Sequence, residues 1–372
     1  MKLGKYILVA LVFVLLTFSF TACGKSGQTL EQPEGEQVYR VGSQITSAIE
    51  TVKEAGFEKI VVYTNINPLT GLPTMTEEGM GSRPVAIMVN NIPKAMPQYG
   101  IAAADVIFEV TVEGGQSRFM ALYADYTQVP VVCPIRSCRK YFPELSEGFD
   151  AIYVCSGMSP DVREYINTLK LTKYEGTYNS GGLFGRDQER RKQGYALEHT
   201  MYFKGTGLAQ ALKDAGQRTT IEESKSGNAF LFAGINETIV PTGEACKEVK
   251  IDFGAMSSTL IYDETTNTYL KQISGKDQMD SVEGTQLSFT NVIVLETKVG
   301  KDPNGKDRTI NWHGGDNSVA YYISNGTMQK IHWEKDSIDS RLRFFDEEGN
   351  ELEINRGKTY IAINFLGETT FK

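Results

Sequence analysis

Eight polar residues of this 372-residue chain have the types and spacing to do chemistry together. Asn90 and Asn91 close a short apolar run. Glu109, Glu113 and Arg118 flank the pair Gly114-Gly115. Arg136 and Arg139 sit in the basic stretch Arg136-Ser-Cys-Arg139-Lys140, and His199 follows Glu198. Two arginines can hold a carboxylate or phosphate bidentately, because the planar guanidinium presents paired N–H donors. Two carboxylates with a histidine suit acid–base work or a divalent metal. The same residues also suit a cross-strand ion network on one sheet face. Structural network, anion or peptide binding, and catalysis all stay open at this point.

Other nucleophile patterns are weaker. Cys155-Ser156-Gly157-Met158-Ser159 lacks the Gly-x-Ser-x-Gly elbow, and Ser159 has a simpler use as a helix cap. Cys133 and Cys138 are five apart; a disulfide and a pair of reduced thiols are both open, and no CxxC is present. The stretch Asp302-Pro-Asn-Gly-Lys-Asp307 reads as a turn, since it lacks the terminal glutamate of a calcium loop. No metal or cofactor is expected.

The elements that must position these residues follow from periodicity. Residues 84–89 form a short apolar strand. Residues 104–113 alternate, with Glu109 and Thr111 on one face and Phe108 and Val110 on the other. With Gly114-Gly115 as a two-residue turn, residues 116–125 return so that Thr111 faces Arg118 and both glutamates lie diagonal to it. A buried-type strand over 150–155 precedes a helix starting at Ser159-Pro160-Asp161. Residues 176–195 are a Gly-rich polar loop, and 205–215 are a helix candidate. Ile45, Ala48, Ile49 and Val52 predict a short helix after Ser43. Beyond about residue 222 the pattern is β, with a clear hairpin turn at Asn325-Gly326. The fold expected is an α/β (α+β) N-terminal domain with a mixed sheet over 59–230, and a mainly β C-terminal domain over 231–372.

The front of the chain carries an address. Lys2 and Lys5 precede an uncharged, mostly apolar run over 6–20, short for a membrane span at roughly 20 residues. Phe20-Thr21-Ala22-Cys23 resembles the lipobox of bacterial lipoproteins, although Leu is more usual where Phe20 stands. This predicts a signal peptide over 1–22, diacylglycerol on the Cys23 sulfur, and acyl chains such as palmitate as membrane anchor. Residues 23–58 would be the lipidated cysteine, a polar flexible tether and the short helix. The net charge of −8, with no basic block, argues against nucleic acid as a partner.

Several stretches resemble the YerB-like lipoproteins: RPVAIMVNN (83–91), PQYGIAAADVIFEVTVEGGQSRFMALY (97–123), PIRSCRKYF (134–142), DAIYVCSG (150–157) and EHTMY (198–202). NVIVLETKV (291–299) and LRFFDEEGNELEINRGKTYIAIN (342–364) extend the likeness. The resemblance implies a bacterial, membrane-anchored protein with two associated domains, and it supplies no catalytic residues. That family often has His-Asn where this chain has His199-Thr200, and it usually lacks Cys133 and Cys138. The expected function is that of an extracytoplasmic lipoprotein on the cell membrane. It would bind or scaffold an envelope protein or a cell-wall ligand through the eight residues above. The alternatives are an envelope hydrolase using Glu109 or Glu113 with His199, and a solute-binding lipoprotein.

Overall fold

A computed structural model describes residues 37–372 apart from 42–43, 55–56, 170, 304, 306 and 316–317. The expected signal peptide, Cys23 and the expected tether up to residue 36 lie outside the described residues. The organising element is a ten-stranded mixed sheet. From edge to edge its strands are Arg343–Phe345, Thr327–Glu334, Val319–Ser324, Asn291–Thr297, Thr359–Phe365, Val106–Val112, Gln116–Tyr123, Val85–Asn91, Ile152–Cys155 and Lys173–Glu175. The first five come from the C-terminal part of the chain and the last five from the N-terminal part. They join where Thr359–Phe365 runs parallel to Val106–Val112, with Ala362 beside Glu109. The N-terminal half is mixed as expected: Val85–Asn91 is antiparallel to Gln116–Tyr123 and parallel to Ile152–Cys155. After Asp214 there is no α-helix among the described residues, which matches the expected β-rich C-terminal part.

Both faces of this sheet are covered. Met88, Phe108, Met120 and Ile361 project to one side and meet Phe142 and Leu145 of helix Tyr141–Glu147, with Val162 and Ile166 of helix Pro160–Thr168 in the same core. Ile87, Ile107, Phe119 and Tyr360 project to the other. There they share a core with Val249, Ile251, Leu260 and Tyr269 of a second, six-stranded sheet built around Glu248–Asp252, Ser257–Asp263 and Thr268–Ile273. Strands Val85–Asn91 and Val106–Val112 are therefore buried along their whole length. The face bearing Glu109 and Thr111 is an internal one, roofed by the second sheet.

Two expectations are corrected. The short helix predicted after Ser43 is a strand, Gln44–Glu54, paired on either side with Gln37–Val41 and Phe57–Tyr63. Five β-branched residues in that stretch (Ile45, Thr46, Ile49, Thr51 and Val52) favour extended backbone over the helical spacing of the apolar ones. The Gly114-Gly115 turn is one residue longer than expected, because Val112 pairs with Gln116 and leaves Glu113, Gly114 and Gly115 in the loop. Gly115 has φ of 66°, and a Cβ there would stand 2.6 Å from the Ala255 nitrogen, so the tip needs glycine. A one-residue slip turns a strand over. Arg118 consequently pairs with Val110 and Asn90 rather than Thr111, while Glu109 pairs with Phe119. Arg118 and Glu109 lie on opposite faces. The Asn325-Gly326 hairpin has the expected two-residue turn, with Ser324 opposite Thr327.

Candidate functional site

Glu109 sits at the centre of the sheet with no exposed surface, and so does Lys271 from the second sheet; their charged groups meet at 3.1 Å. Burial pulls the Lys271 ammonium below the usual lysine range, and Glu109 opposes that pull. The carboxylate is enclosed on all sides. Its Oε1 accepts from Asn91 Nδ2 (2.7 Å), Ser117 Oγ (2.5 Å) and Ser258 Oγ (2.8 Å), and its Oε2 accepts from Tyr360 OH (2.5 Å). Lys271 Nζ also donates to Ser258 Oγ at 2.7 Å. Asn91, Glu109, Ser117 and Tyr360 belong to the ten-stranded sheet; Ser258 and Lys271 belong to the other. Chemically this is a fastener between layers, in which an ion pair is tolerated because every partner is hydrogen-bonded.

A line of buried amides leads from the fastener to His199. Gln278 Nε2 donates to Asn91 Oδ1 (2.8 Å) and to Gln98 Oε1 (2.7 Å), and Gln98 Nε2 donates to the Asn90 carbonyl (2.7 Å). Asn90 Nδ2 donates to His199 Nδ1 at 2.9 Å. With Nδ1 accepting, the imidazole proton sits on Nε2, which faces Glu198 Oε1 at 3.6 Å. Burial lowers the His199 pKa; Glu198 opposes this, and the positive charges of Arg136 and Arg190 add to it. Neither Glu109 nor Glu113 makes a hydrogen bond to His199, so the carboxylate–histidine set weighed from sequence does not assemble in this arrangement.

The arginines gather at the hairpin end. The 131–136 segment crosses the end of strand Val85–Asn91, with Asn90 N donating to Pro134 O and Arg136 N to Met88 O. Arg139 grips Glu113 through Nε (3.0 Å) and Nη2 (2.7 Å) and lies 3.3 Å from Asp307. Burial pushes the Glu113 carboxyl up, but the Arg139 hydrogen bonds outweigh it and hold the group below its ordinary value. Arg136 pairs with Glu198 at 3.0 Å on the partly exposed rim. Arg118 is buried and donates from Nη1 to the Ser137 carbonyl at 2.7 Å. The eight residues thus divide into three: Asn91 and Glu109 in the fastener, Asn90 with His199 beside it, and Glu113, Arg118, Arg136 and Arg139 at the rim.

Sequence reasoning did not single out Lys271, Ser258, Tyr360, Gln98 or Gln278. Lys271 had a signal. It lies in phase with Tyr269 and Ile273 on the buried face of Thr268–Ile273, where a lysine requires a counter-charge. Cys133, Cys138, Cys155 and Cys246 are free buried thiols, and burial pushes Cys133 up to about 11 and Cys138 up to about 12. Among the described residues, no cluster of His, Cys, Asp and Glu is placed to hold a metal ion. A cleft of about 210 Å³ bordered by Ile101, Leu287, Phe289 and Lys358 is smaller than the roughly 300–1,000 Å³ of small-molecule sites.

Comparison with known proteins agrees with this architecture. Residues 69–218 match the family model described as the protein of unknown function (DUF3048) N-terminal domain, and residues 249–361 match the corresponding C-terminal domain. The chain is 29% identical over 301 residues to the protein named "Putative lipoprotein YerB" of Bacillus subtilis (strain 168), covering 80% of this chain and 85% of that one. It is also similar to a crystal structure of the YerB protein from Bacillus subtilis, with a TM-score of 0.70 and 27% identity, over 82% of this chain and 98% of that one. Both family segments contribute strands to the ten-stranded sheet, and the chain belongs to the DUF3048, YerB-like family.

Proposed function

We propose that this protein is a lipid-anchored lipoprotein of the cell membrane whose folded body, on the extracytoplasmic side, binds an envelope protein or a wall-related ligand. The anchor rests on Lys2, Lys5, the apolar run and Phe20-Thr21-Ala22-Cys23, and on the lipoprotein name of the Bacillus subtilis relative. Two or three acyl chains hold a protein at a bilayer stably where one does not. The binding role rests on one observation. Glu109 is fully enclosed by five side chains and Glu113 is held by Arg139, so neither carboxylate is presented beside His199 for turnover. Among the eight candidates, the Arg136–Arg139 rim is the part within reach of another molecule.

The test is in-cell crosslinking from Leu197, which is 57% exposed and adjoins the Glu198–Arg136 pair. A photoreactive residue at this position is expected to capture one defined envelope protein or wall fragment, with Arg136→Ala weakening capture. Failure to capture either, or turnover of wall fragments that Glu113→Gln abolishes in a folded protein, would overturn the reading.

A further inference from the structure

Ten buried side-chain polar atoms lack a hydrogen-bond partner among the described residues. Four of them, all oxygens, fall in one corner of the fold: Thr111 Oγ1, Glu296 Oε1, Asn364 Oδ1 and Thr369 Oγ1. Buried polar groups are nearly always paired, and a buried acceptor without a donor is costly, so four together point to something they hold in common.

The sheet register brings them together. Glu296 pairs with Asn364 on the parallel strands Asn291–Thr297 and Thr359–Phe365. Ile363 pairs with Val110 on the next parallel strand, which puts Thr111 beside Asn364 one residue further on. Neighbouring strands lie about 4.8 Å apart, so the three side chains stand in a row across the C-terminal ends of three parallel strands. They share the face of Val294 and Ala362, beneath the second sheet. Thr369 comes down from that second sheet. It pairs with Ile251 and is in phase with Phe371, both on the inner face. The turn leading to it is tied to the row, since Gly367 N donates to Glu296 Oε2 at 2.9 Å. Asn364 Nδ2 donates to the Asp252 carbonyl at 2.6 Å, which fixes the amide and leaves its oxygen as the acceptor in the row.

The corner is buried but shallow. Glu296 is 6% exposed and makes no ion pair among the described residues, and Thr111 and Asn364 are fully buried. Leu366, Gly367 and Glu368 of the overlying turn are exposed, as is Lys298 beyond the strand end. The space where a Cβ of residue 367 would stand is open for 4 Å, so a small ion has a short path from solvent.

We propose that Glu296, Asn364, Thr111 and Thr369 form a site for one monovalent cation, Na⁺ or K⁺, which ties the second sheet to the ten-stranded one. A carboxylate, an amide oxygen and two hydroxyls are hard ligands, suited to alkali and alkaline-earth ions rather than to soft transition metals. Only Glu296 among the four carries formal charge. A monovalent ion therefore leaves the corner neutral, whereas a divalent one would bury an excess positive charge. Thr111 belongs to the N-terminal family segment and Glu296 to the C-terminal one, so the ion also joins the two. The site is separate from the Arg136–Arg139 rim and does not depend on the binding role.

The test melts the detergent-solubilised full chain in sodium, potassium and choline chloride at equal ionic strength, followed by tryptophan fluorescence. Choline carries the same charge but is too large to enter. A ligand that binds only the folded state raises the midpoint with the logarithm of its concentration. The expected result is a midpoint at least about 2 °C higher in sodium or in potassium than in choline, and the more effective salt names the ion. Glu296→Gln, which keeps the shape and removes the charge, should erase the difference. Thr369→Val should move the response to higher salt, and it decides the location if Glu296→Gln does not fold. Equal midpoints in the three salts, a response to calcium chloride alone, or an undiminished difference in either folded variant would overturn the site.

Discussion

Breaking the Glu109–Lys271 pair from each side separates a fastener from an unused active site. Lys271→Met leaves an ionised carboxylate among hydroxyls and one amide, with no compensating charge. Glu109→Gln removes the charge and places an NH₂ group against donors that now lack an acceptor, including Tyr360 OH and Ser258 Oγ. Removing one partner of a buried, hydrogen-bonded pair costs about 3–5 kcal/mol. The double variant should cost less than the sum of the singles by about 0.5–3 kcal/mol, since each single leaves the same group stranded. Urea unfolding of the full chain reads this directly, because Trp312 and Trp333 are both buried, at 3% exposure each, and report loss of the core. Single variants within about 1 kcal/mol of the parent, or costs that simply add, would refute the reasoning: the pair would then not join the two sheets.

Three further outcomes are expected. Burial depresses the folded-state pKa of His199, so the unfolded chain takes up its proton first as pH falls; stability is full above the unfolded value near 6.5 and is lost toward the lower folded value. His199→Gln should flatten the stability profile between pH 7 and 5, and a slope as steep as the parent's would contradict this. Gly115→Ala should destabilise by about 1–3 kcal/mol through positive φ and the close Ala255 nitrogen, checked by thermal melting; an unchanged melting temperature would count against the three-residue turn. The thiols of Cys133, Cys138, Cys155 and Cys246 should react with a maleimide only after denaturation, and prompt labelling of the native protein would contradict their burial.

Much of the scaffold was legible from residues alone. Strands over 84–89, 104–113 and 150–155, the helix after Ser159 and the Asn325-Gly326 hairpin carry strong local signals, and they appear where turn chemistry and periodicity put them. Three things were not legible. The length of the Gly114-Gly115 turn depends on how the tip packs against Ala255, a contact about 140 residues away in sequence, and that single residue decides which face Arg118 takes. The enclosure of Glu109 depends on Ser258, Lys271 and Tyr360, which reach it from distant strands. Alternation showed that Glu109 faced away from Phe108, but it carried no information about the sheet stacked above it. The Glu113–Arg139 contact is likewise a tertiary pairing, set by the path of the 131–140 loop across the strand ends.

The anchor is the premise under the proposed role, and mass spectrometry of the N-terminal peptide from membrane-purified endogenous protein tests it most directly. The account predicts a chain that begins at Cys23 and carries a diacylglyceryl thioether on its sulfur. A peptide with residues 1–22 still attached and a free Cys23 thiol would contradict it.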